Sequence, residues 1–353
     1  MKYYVVPVDV NTMNDADWKK FHAFRKKFHD ETDPEDPFEA DEAYQQLITI
    51  KANHPEQTIH VHFVENEIEE MIGLFGIAEF KKTSASYENM KHLVFLLMDI
   101  LPEYRFKGIE NVLLKRIHQY GKENSKRTLL YSAWEDKIKQ NLSELGFESA
   151  LSNIINRLNL EKLDWSMVNG WITISQERNQ TTRILVFEEI PDDILVEYTK
   201  ILGETMNQIP RGSLDFGDII YTPENVRQIE KDRKNTGRQT LNVVTIEPSG
   251  EISGLTWLTY AQSKEIVLGQ GLTSVQEKHR GRGLGKWLKA VALVEAKKTF
   301  PKAKYIDTSN ATTNAPMLAI NNQLGFHEHK VYVNFQISIE KLEQNLLASN
   351  LPS

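Results

Sequence analysis

The sequence predicts an α/β protein made of two similar halves, and three observations lead there. Strand-like and helix-like runs appear twice in the same order along 353 residues, a length that suits about two domains. Three markers recur at a nearly constant offset. Arg105 and Arg280 are 175 residues apart, the triplets Leu145-Gly146-Phe147 and Leu324-Gly325-Phe326 are 179 apart, and Gly73 and Gly254 are 181 apart. Such an offset marks internal duplication. The second half also carries a glycine-rich turn, His279 to Lys286, between an apolar strand-like run and an amphipathic one.

The elements of the first half follow from pattern. Val5 to Val8 is a short strand. Asn14 caps a helix that carries Trp18, Phe21, Phe24 and Phe28 at helical spacing, a stripe for core packing. Asp30 to Glu42 holds eight carboxylates among thirteen residues and reads as a solvated acidic loop. Ala43 to Ala52 is a helix, and Ile59 to Val64 and Met71 to Ala78 alternate like paired strands. Lys91 to Ile100 is nearly continuous in apolar residues and reads as a buried strand. A helix with Val112, Leu113, Ile117 and Tyr120, a strand from Thr128 to Trp134 and a helix from Ile138 to Leu145 closed by Gly146 complete it.

The second half repeats the order. Ile184 to Glu189 is a strand, and Asp192 to Met206 and Pro223 to Thr236 are helices. Leu241 to Ile246 and Ile252 to Tyr260 form a hairpin over Glu247-Pro248-Ser249-Gly250. Ile266 to Val275 is a strand, Trp287 to Lys298 a helix, and Lys304 to Thr308 a strand. Pro316 to Leu324 is a helix with Pro in its first turn. Val331 to Ser338 is the last strand and Ile339 to Leu347 a short helix. The halves meet between Leu160 and Gly170, with no flexible linker to mark the boundary.

Composition narrows the function. A net charge of −7, with a pI near 5.9, argues against nucleic-acid binding. The absence of cysteine excludes disulfides and thiolate chemistry and is compatible with a cytoplasmic protein. No run approaches the roughly 20 apolar residues of a membrane span, so no membrane role is expected. The ten histidines are scattered, and no metal site is expected.

The loop Arg280-Gly281-Arg282-Gly283-Leu284-Gly285 follows a strand and opens a helix. A helix start exposes unpaired N–H groups and a partial positive charge, which together bind phosphate. A dinucleotide fingerprint requires G-x-G-x-x-G and a Walker loop G-x-x-x-x-G-K-[ST]; this stretch fits neither. It fits Arg/Gln-x-x-Gly-x-Gly/Ala at every position. It thereby resembles the pyrophosphate loop of the GCN5-related N-acetyltransferases. Asn310 to Asn321 and Leu324-Gly325-Phe326 resemble the later coenzyme A motif of that family. Both halves resemble the fold, and the layout is similar to the tandem acetyltransferases of the mycothiol synthase type.

The resemblance implies two tandem domains, 1–165 and 166–353, each a mixed, mostly antiparallel sheet flanked by helices. It implies acetyl-coenzyme A as cosubstrate and the amine of a small molecule as acceptor, with the second domain catalytic. Arg280, Gly281, Arg282, Gly283, Leu284, Gly285 and Lys286 would hold the pyrophosphate, and the strand edge Thr273-Ser274-Val275 the pantetheine. Asn310 and Asn314 would contact the pantetheine or adenosine arm. The family's acid, a Tyr three residues before the Leu-Gly-Phe leucine, is replaced by Asn321, which leaves Tyr332 as a substitute. Gln270 and Asp215, with Thr273 and Asp218, are candidates for the acceptor pocket, against an ordinary structural role for each.

The first half departs at the loop. Phe106 stands at the position of Gly281 and Glu110 at that of Gly285, so bulk and negative charge oppose phosphate there. The N-terminal domain is therefore expected not to use acetyl-coenzyme A. A non-catalytic coenzyme A-binding or sensor module is the alternative function, and transfer of a longer acyl group a third. The sequence fixes neither the acceptor nor the oligomeric state.

Overall fold

A computed structural model describes residues 2–348. In chain order the elements are β1 (Tyr3–Val8), α1 (Asp15–Thr32), α2 (Asp41–Ala52), β2 (Gln57–Asn66), β3 (Met71–Phe80), α3 (Tyr87–Met90), β4 (Leu93–Ile100), α4 (Ile109–Glu123), β5 (Thr128–Ala133), α5 (Asp136–Glu144) and β6 (Glu148–Asn159). There follow α6 (Trp165–Arg178), β7 (Arg183–Phe187), α7 (Leu195–Asn207), α8 (Pro223–Asn235), β8 (Arg238–Ile246), β9 (Ile252–Ala261), β10 (Val267–Val275), α9 (Leu284–Thr299), β11 (Tyr305–Ala311), α10 (Ala315–Leu324), β12 (His327–Ser338) and α11 (Ile339–Ala348). Among the described residues no helix is long and apolar enough to cross a membrane.

The chain divides into two compact units that are not contiguous in sequence. Unit 1 comprises residues 1–152, 211–218 and 332–353; unit 2 comprises 153–210 and 219–331. A single cut at residue 165 does not produce them, because their limits run through β6 and β12. In unit 1, Val333–Ser338 of β12 pairs antiparallel with β5. In unit 2, Asn153–Asn159 of β6 pairs antiparallel with β11. The closing strand of each sheet thus comes from the other half of the sequence.

Within each unit the strand plan is the same. In unit 1, β1, β2, β3 and β4 are successive antiparallel neighbours, and β4 meets β5 in parallel. In unit 2, β7, β8, β9 and β10 are antiparallel neighbours, and β10 meets β11 in parallel. Both sheets are mixed and mostly antiparallel, flanked by helices. The core of unit 1 packs Ile109, Leu113 and Ile117 of α4 against Val94 and Leu96 of β4 and Leu129 of β5. That of unit 2 packs Leu288, Ala292 and Leu293 of α9 against Val243, Leu258, Leu268 and Ile306. Each such fully buried Leu or Ile contributes about 2 kcal/mol.

The three duplicated markers play matching local roles. Arg105 Nε donates to the Ile100 carbonyl and Arg280 Nε to the Val275 carbonyl, each five residues upstream. Gly146 and Gly325 are both left-handed, at φ +82° and +88°. A Cβ on Gly73 would lie 3.0 Å from the Asp99 carbonyl oxygen, and one on Gly254 2.8 Å from that of Ser274. Both glycines let a neighbouring strand approach.

Two elements, β6 and α6, carry no strong sequence mark. Gly170, read as part of a boundary, lies inside α6, which Asp164 caps by accepting from Met167 N–H. Asn14 caps α1 as expected, completing a capping box with Asp17. Phe21 and Phe24 of its aromatic stripe are buried, with Trp18 and Phe28 packed against their cluster.

Candidate active site

In unit 2 the chain leaves β10, passes through the loop and enters α9. Gly281 and Gly283 have φ of +81° and +84°, the left-handed region that glycine enters without cost. Gly283 is the residue on which α9 begins. Among the described residues no protein acceptor takes the N–H groups of Gly281 through Lys286. The loop therefore presents a run of unused donors at the positive end of a 16-residue helix.

The strands beside it open a cleft. β10 and β11 pair only over Val267–Gln270 and Tyr305–Thr308. Beyond that point β10 stays with β9 through Val275, while β11 stays with β6 through Ala311. The free edge of Thr273-Ser274-Val275 faces the gap this leaves. At the point of parting β10 is bulged, with Gly271 and Leu272 opposite the single residue Trp257. A Cβ on Gly271 would fall 2.1 Å from the Trp257 ring, so any other residue at this bulge would displace that ring.

The cleft measures about 520 Å³ and gathers ten of the twelve expected cofactor-binding residues: Thr273, Ser274, Val275, Arg280, Gly281, Gly283, Leu284, Gly285, Lys286 and Asn314. Thr205, Gln208, Ile209 and Pro210 also line it, as do Pro316, Met317 and Ile320 of α10. Gln208 accepts from Arg280 Nη2 at 3.1 Å, which holds the arginine at the cleft. Lys286 Nζ lies 4.8 Å from the Trp171 ring.

The other two expected contacts are turned elsewhere. Arg282 donates to Asn179 Oδ1, Thr182 Oγ1 and Glu247, at 2.7–3.2 Å, so its guanidinium anchors the loop from behind. Asn179 Nδ2 returns a hydrogen bond to the Arg282 carbonyl. Asn310 Oδ1 accepts from Asn321 Nδ2 at 2.8 Å.

The expected acid and acceptor residues also have structural partners. Asn321, 1% exposed, ties α10 to β11 through Asn310. Tyr332 belongs to unit 1, where its ring lies 4.6 Å from that of Trp134. Asp215, in the same unit, accepts from Arg127 and Thr128 and pairs with His92 at 3.2 Å. Asp218 pairs with Arg211. Asp215 is thus engaged by three side chains, whereas Asp218 holds one arginine and is otherwise exposed. Sequence spacing placed these residues near motifs but could not show that β12 closes the sheet of unit 1.

Gln270 is buried beneath the bulge. Its Nε2 reaches Thr256 Oγ1 and Thr273 Oγ1, which lie 2.8 Å from each other. Its Oε1 accepts from Lys289 Nζ at 2.7 Å. Lys289 is 1% exposed, and burial lowers its amine to about 7. This network ties α9 to the strand residues on either side of the bulge. Lys289 was missed because a lysine in an amphipathic run reads as a solvated position.

The corresponding loop of unit 1 is closed by its own side chain. Glu110 Oε1 accepts from Phe106 N–H at 2.6 Å, and Phe106 takes φ +59° without being glycine. Arg105 Nη1 is held by Glu135. β4 runs beside β3 with no bulge. A carboxylate thus takes a donor that the unit 2 loop leaves free.

No protein-family model matches the sequence, and no curated protein does so significantly. Solved structures do match. A tandem GNAT protein from the clavulanic acid biosynthesis pathway, solved without acetyl-CoA, superposes with a TM-score of 0.73 at 16% identity, over 96% of this chain and 99% of that one. A GCN5-related N-acetyltransferase from Sphaerobacter thermophilus gives 0.64 at 13% identity, over 96% of both chains. A GCN5-related glucosamine N-acetyltransferase region of a fungal multi-domain GH3 β-N-acetylglucosaminidase gives 0.64 at 10% identity, over 95% of this chain and 38% of that one. The fold is that of the GCN5-related N-acetyltransferases, in the tandem arrangement.

Proposed function

We propose that this chain, with its tandem GCN5-related acetyltransferase fold, transfers an acetyl group from acetyl-coenzyme A to the amine of a small molecule, and that unit 2 performs the transfer. The observation that carries this reading is the run of unused N–H groups from Gly281 to Lys286 beside the free edge of β10. The loop donors receive the pyrophosphate, with Arg280 and Lys286 adding charge. The free edge of β10 takes the pantetheine as an added strand. The 520 Å³ cleft is of the size that small-ligand sites have.

Chemistry then falls at the bulge. A main-chain N–H at Gly271 to Thr273 stabilises the thioester oxygen as negative charge develops on it, an effect of about 3 kcal/mol per donor. The acceptor amine attacks the carbonyl carbon in its neutral form, the carbon–nitrogen bond forms as the carbon–sulfur bond breaks, and the proton that the nitrogen sheds is taken up by the departing thiolate, leaving an amide and free coenzyme A thiol. The Lys289–Gln270–Thr network holds the bulge in place, so the donor needs no reorganisation. Thiol release from acetyl-coenzyme A, measured across a panel of primary amines, tests this reading. Amine-dependent release supports transfer; binding of acetyl-coenzyme A with no release for any amine would instead leave a coenzyme A-binding module.

A further inference from the structure

Unit 2 buries a polar network at positions where unit 1 is apolar. The glycines that open α9 and α4, Gly283 and Gly108, put the two helices in register, so Lys289 corresponds to Leu114. The strands correspond as well. In unit 2 Thr273 stands opposite Thr256 and Gln270 opposite Leu258. In unit 1 Met98 stands opposite Phe75 and Leu96 opposite Ile77. Phe75, Leu96 and Leu114 belong to the apolar core of unit 1, and Met98 packs against it. Hydrocarbon therefore fills all four positions of this fold without difficulty. Unit 2 places Thr256, Gln270, Thr273 and Lys289 there, all of them buried. Burying polar groups costs free energy that apolar side chains would not, so packing alone does not account for them.

The hydrogen bonds show what the network delivers. Lys289 Nζ donates to Gln270 Oε1 at 2.7 Å, which turns Gln270 Nε2 toward the two threonine hydroxyls. Both hydroxyls accept from that Nε2, so neither can give its own proton to it. They lie 2.8 Å apart, with one proton between them. Thr256 is 1% exposed, and Thr273 Oγ1 is the acceptor beside it, so Thr256 is the donor. The opposite direction would leave the Thr256 proton buried with no acceptor. Thr273 Oγ1 then accepts twice, and its own proton is left to donate elsewhere. Of the four residues Thr273 alone lines the cleft.

We propose that Thr273 is a catalytic residue of the acetyl transfer. Its hydroxyl donates a hydrogen bond to the thioester oxygen beside the main-chain donor of the bulge, and this bond strengthens as negative charge develops there. Thr256, Gln270 and Lys289 are positioning residues that turn the hydroxyl proton toward the cleft. The inference rests on the acetyl-transfer reading. Its test is infrared difference spectroscopy of acetyl-coenzyme A, isotopically labelled at the carbonyl carbon and bound to the full chain without an acceptor. Thr273→Val removes the hydroxyl at nearly equal volume and moves the carbonyl band to higher frequency, whereas Thr273→Ser leaves it in place. Gln270→Glu keeps an oxygen for Lys289 but offers the threonines an acceptor instead of a donor. Thr273 then donates inward, and the band rises as it does in Thr273→Val. With an amine that supports thiol release, Thr273→Val and Gln270→Glu each lower kcat about tenfold, with KM for acetyl-coenzyme A changed by less than about twofold. A wild type that binds no acetyl-coenzyme A would overturn the acetyl-transfer reading and this inference together. Bound acetyl-coenzyme A with the same carbonyl band in wild type and Thr273→Val overturns the role of Thr273 alone.

Discussion

Lys289 Nζ lies 2.7 Å from Gln270 Oε1, and both side chains are buried. One acceptor cannot satisfy three ammonium protons, so the neutral amine is favoured and burial brings its pKa from 10.5 down to about 7. Between those two values the unfolded chain holds a proton that the folded chain lacks. Stability from this group therefore rises with pH across that window, by at most about 1.4 kcal/mol per pH unit, and is flat below it. Lys289→Met removes that slope. Urea denaturation of both proteins from pH 7 to 9.5 checks this: the wild type gains on the variant as pH rises. Parallel curves would show that Lys289 titrates normally.

Arg282 and Glu247 form a pair behind the loop, with Asn179 and Thr182 as further partners. Removing Arg282 leaves the Glu247 carboxylate, 10% exposed, without its charge partner. Loss of one member of a buried pair costs 3–5 kcal/mol. With a third of the arginine side chain exposed, we expect Arg282→Ala to cost about 2 kcal/mol. Arg280→Ala, at the cleft, should instead weaken coenzyme A binding with little loss of stability. Denaturation and calorimetry on the two variants separate these roles. The reverse assignment would mean that Arg282 faces the ligand.

Glu110 and Phe106 close the unit 1 loop. The double variant Phe106→Gly/Glu110→Gly frees the main-chain donor and removes the opposing charge at the start of α4. Titration with coenzyme A should rise from one equivalent per chain toward two, the second weaker. A stoichiometry that stays at one would mean that more than these two side chains bars the anion.

The repeated order of elements was legible because strands and helices of both halves keep their own periods, and because Arg105/Arg280 and the Leu-Gly-Phe triplets carry fixed local tasks. The glycine-rich turn before α9 was legible because left-handed backbone at Gly281 and Gly283 restricts the residue type. The exchange of β6 and β12 was not, since pairing partners leave no local mark: Val333–Ser338 would suit either sheet. For the same reason the sequence could not show that Tyr332, offered in place of the missing tyrosine, and Asp215, offered as a loop carboxylate for the amine, belong to unit 1, whereas the glycine loop belongs to unit 2. The bulge at Gly271 and the burial of Lys289 depend on Trp257 and Gln270, which only the fold brings to them.

The account rests on the unit 2 loop being the intact coenzyme A site, and paired glycine variants test that most directly. Asp tolerates the left-handed backbone better than most residues, so Gly283→Asp should remain folded while its carboxylate opposes the pyrophosphate. Calorimetric titration with coenzyme A should give one site in the wild type, the same affinity in Gly108→Asp, and no binding in Gly283→Asp, with thermal melting confirming that each variant is folded. Unchanged affinity in Gly283→Asp, or its loss in Gly108→Asp, would contradict the assignment.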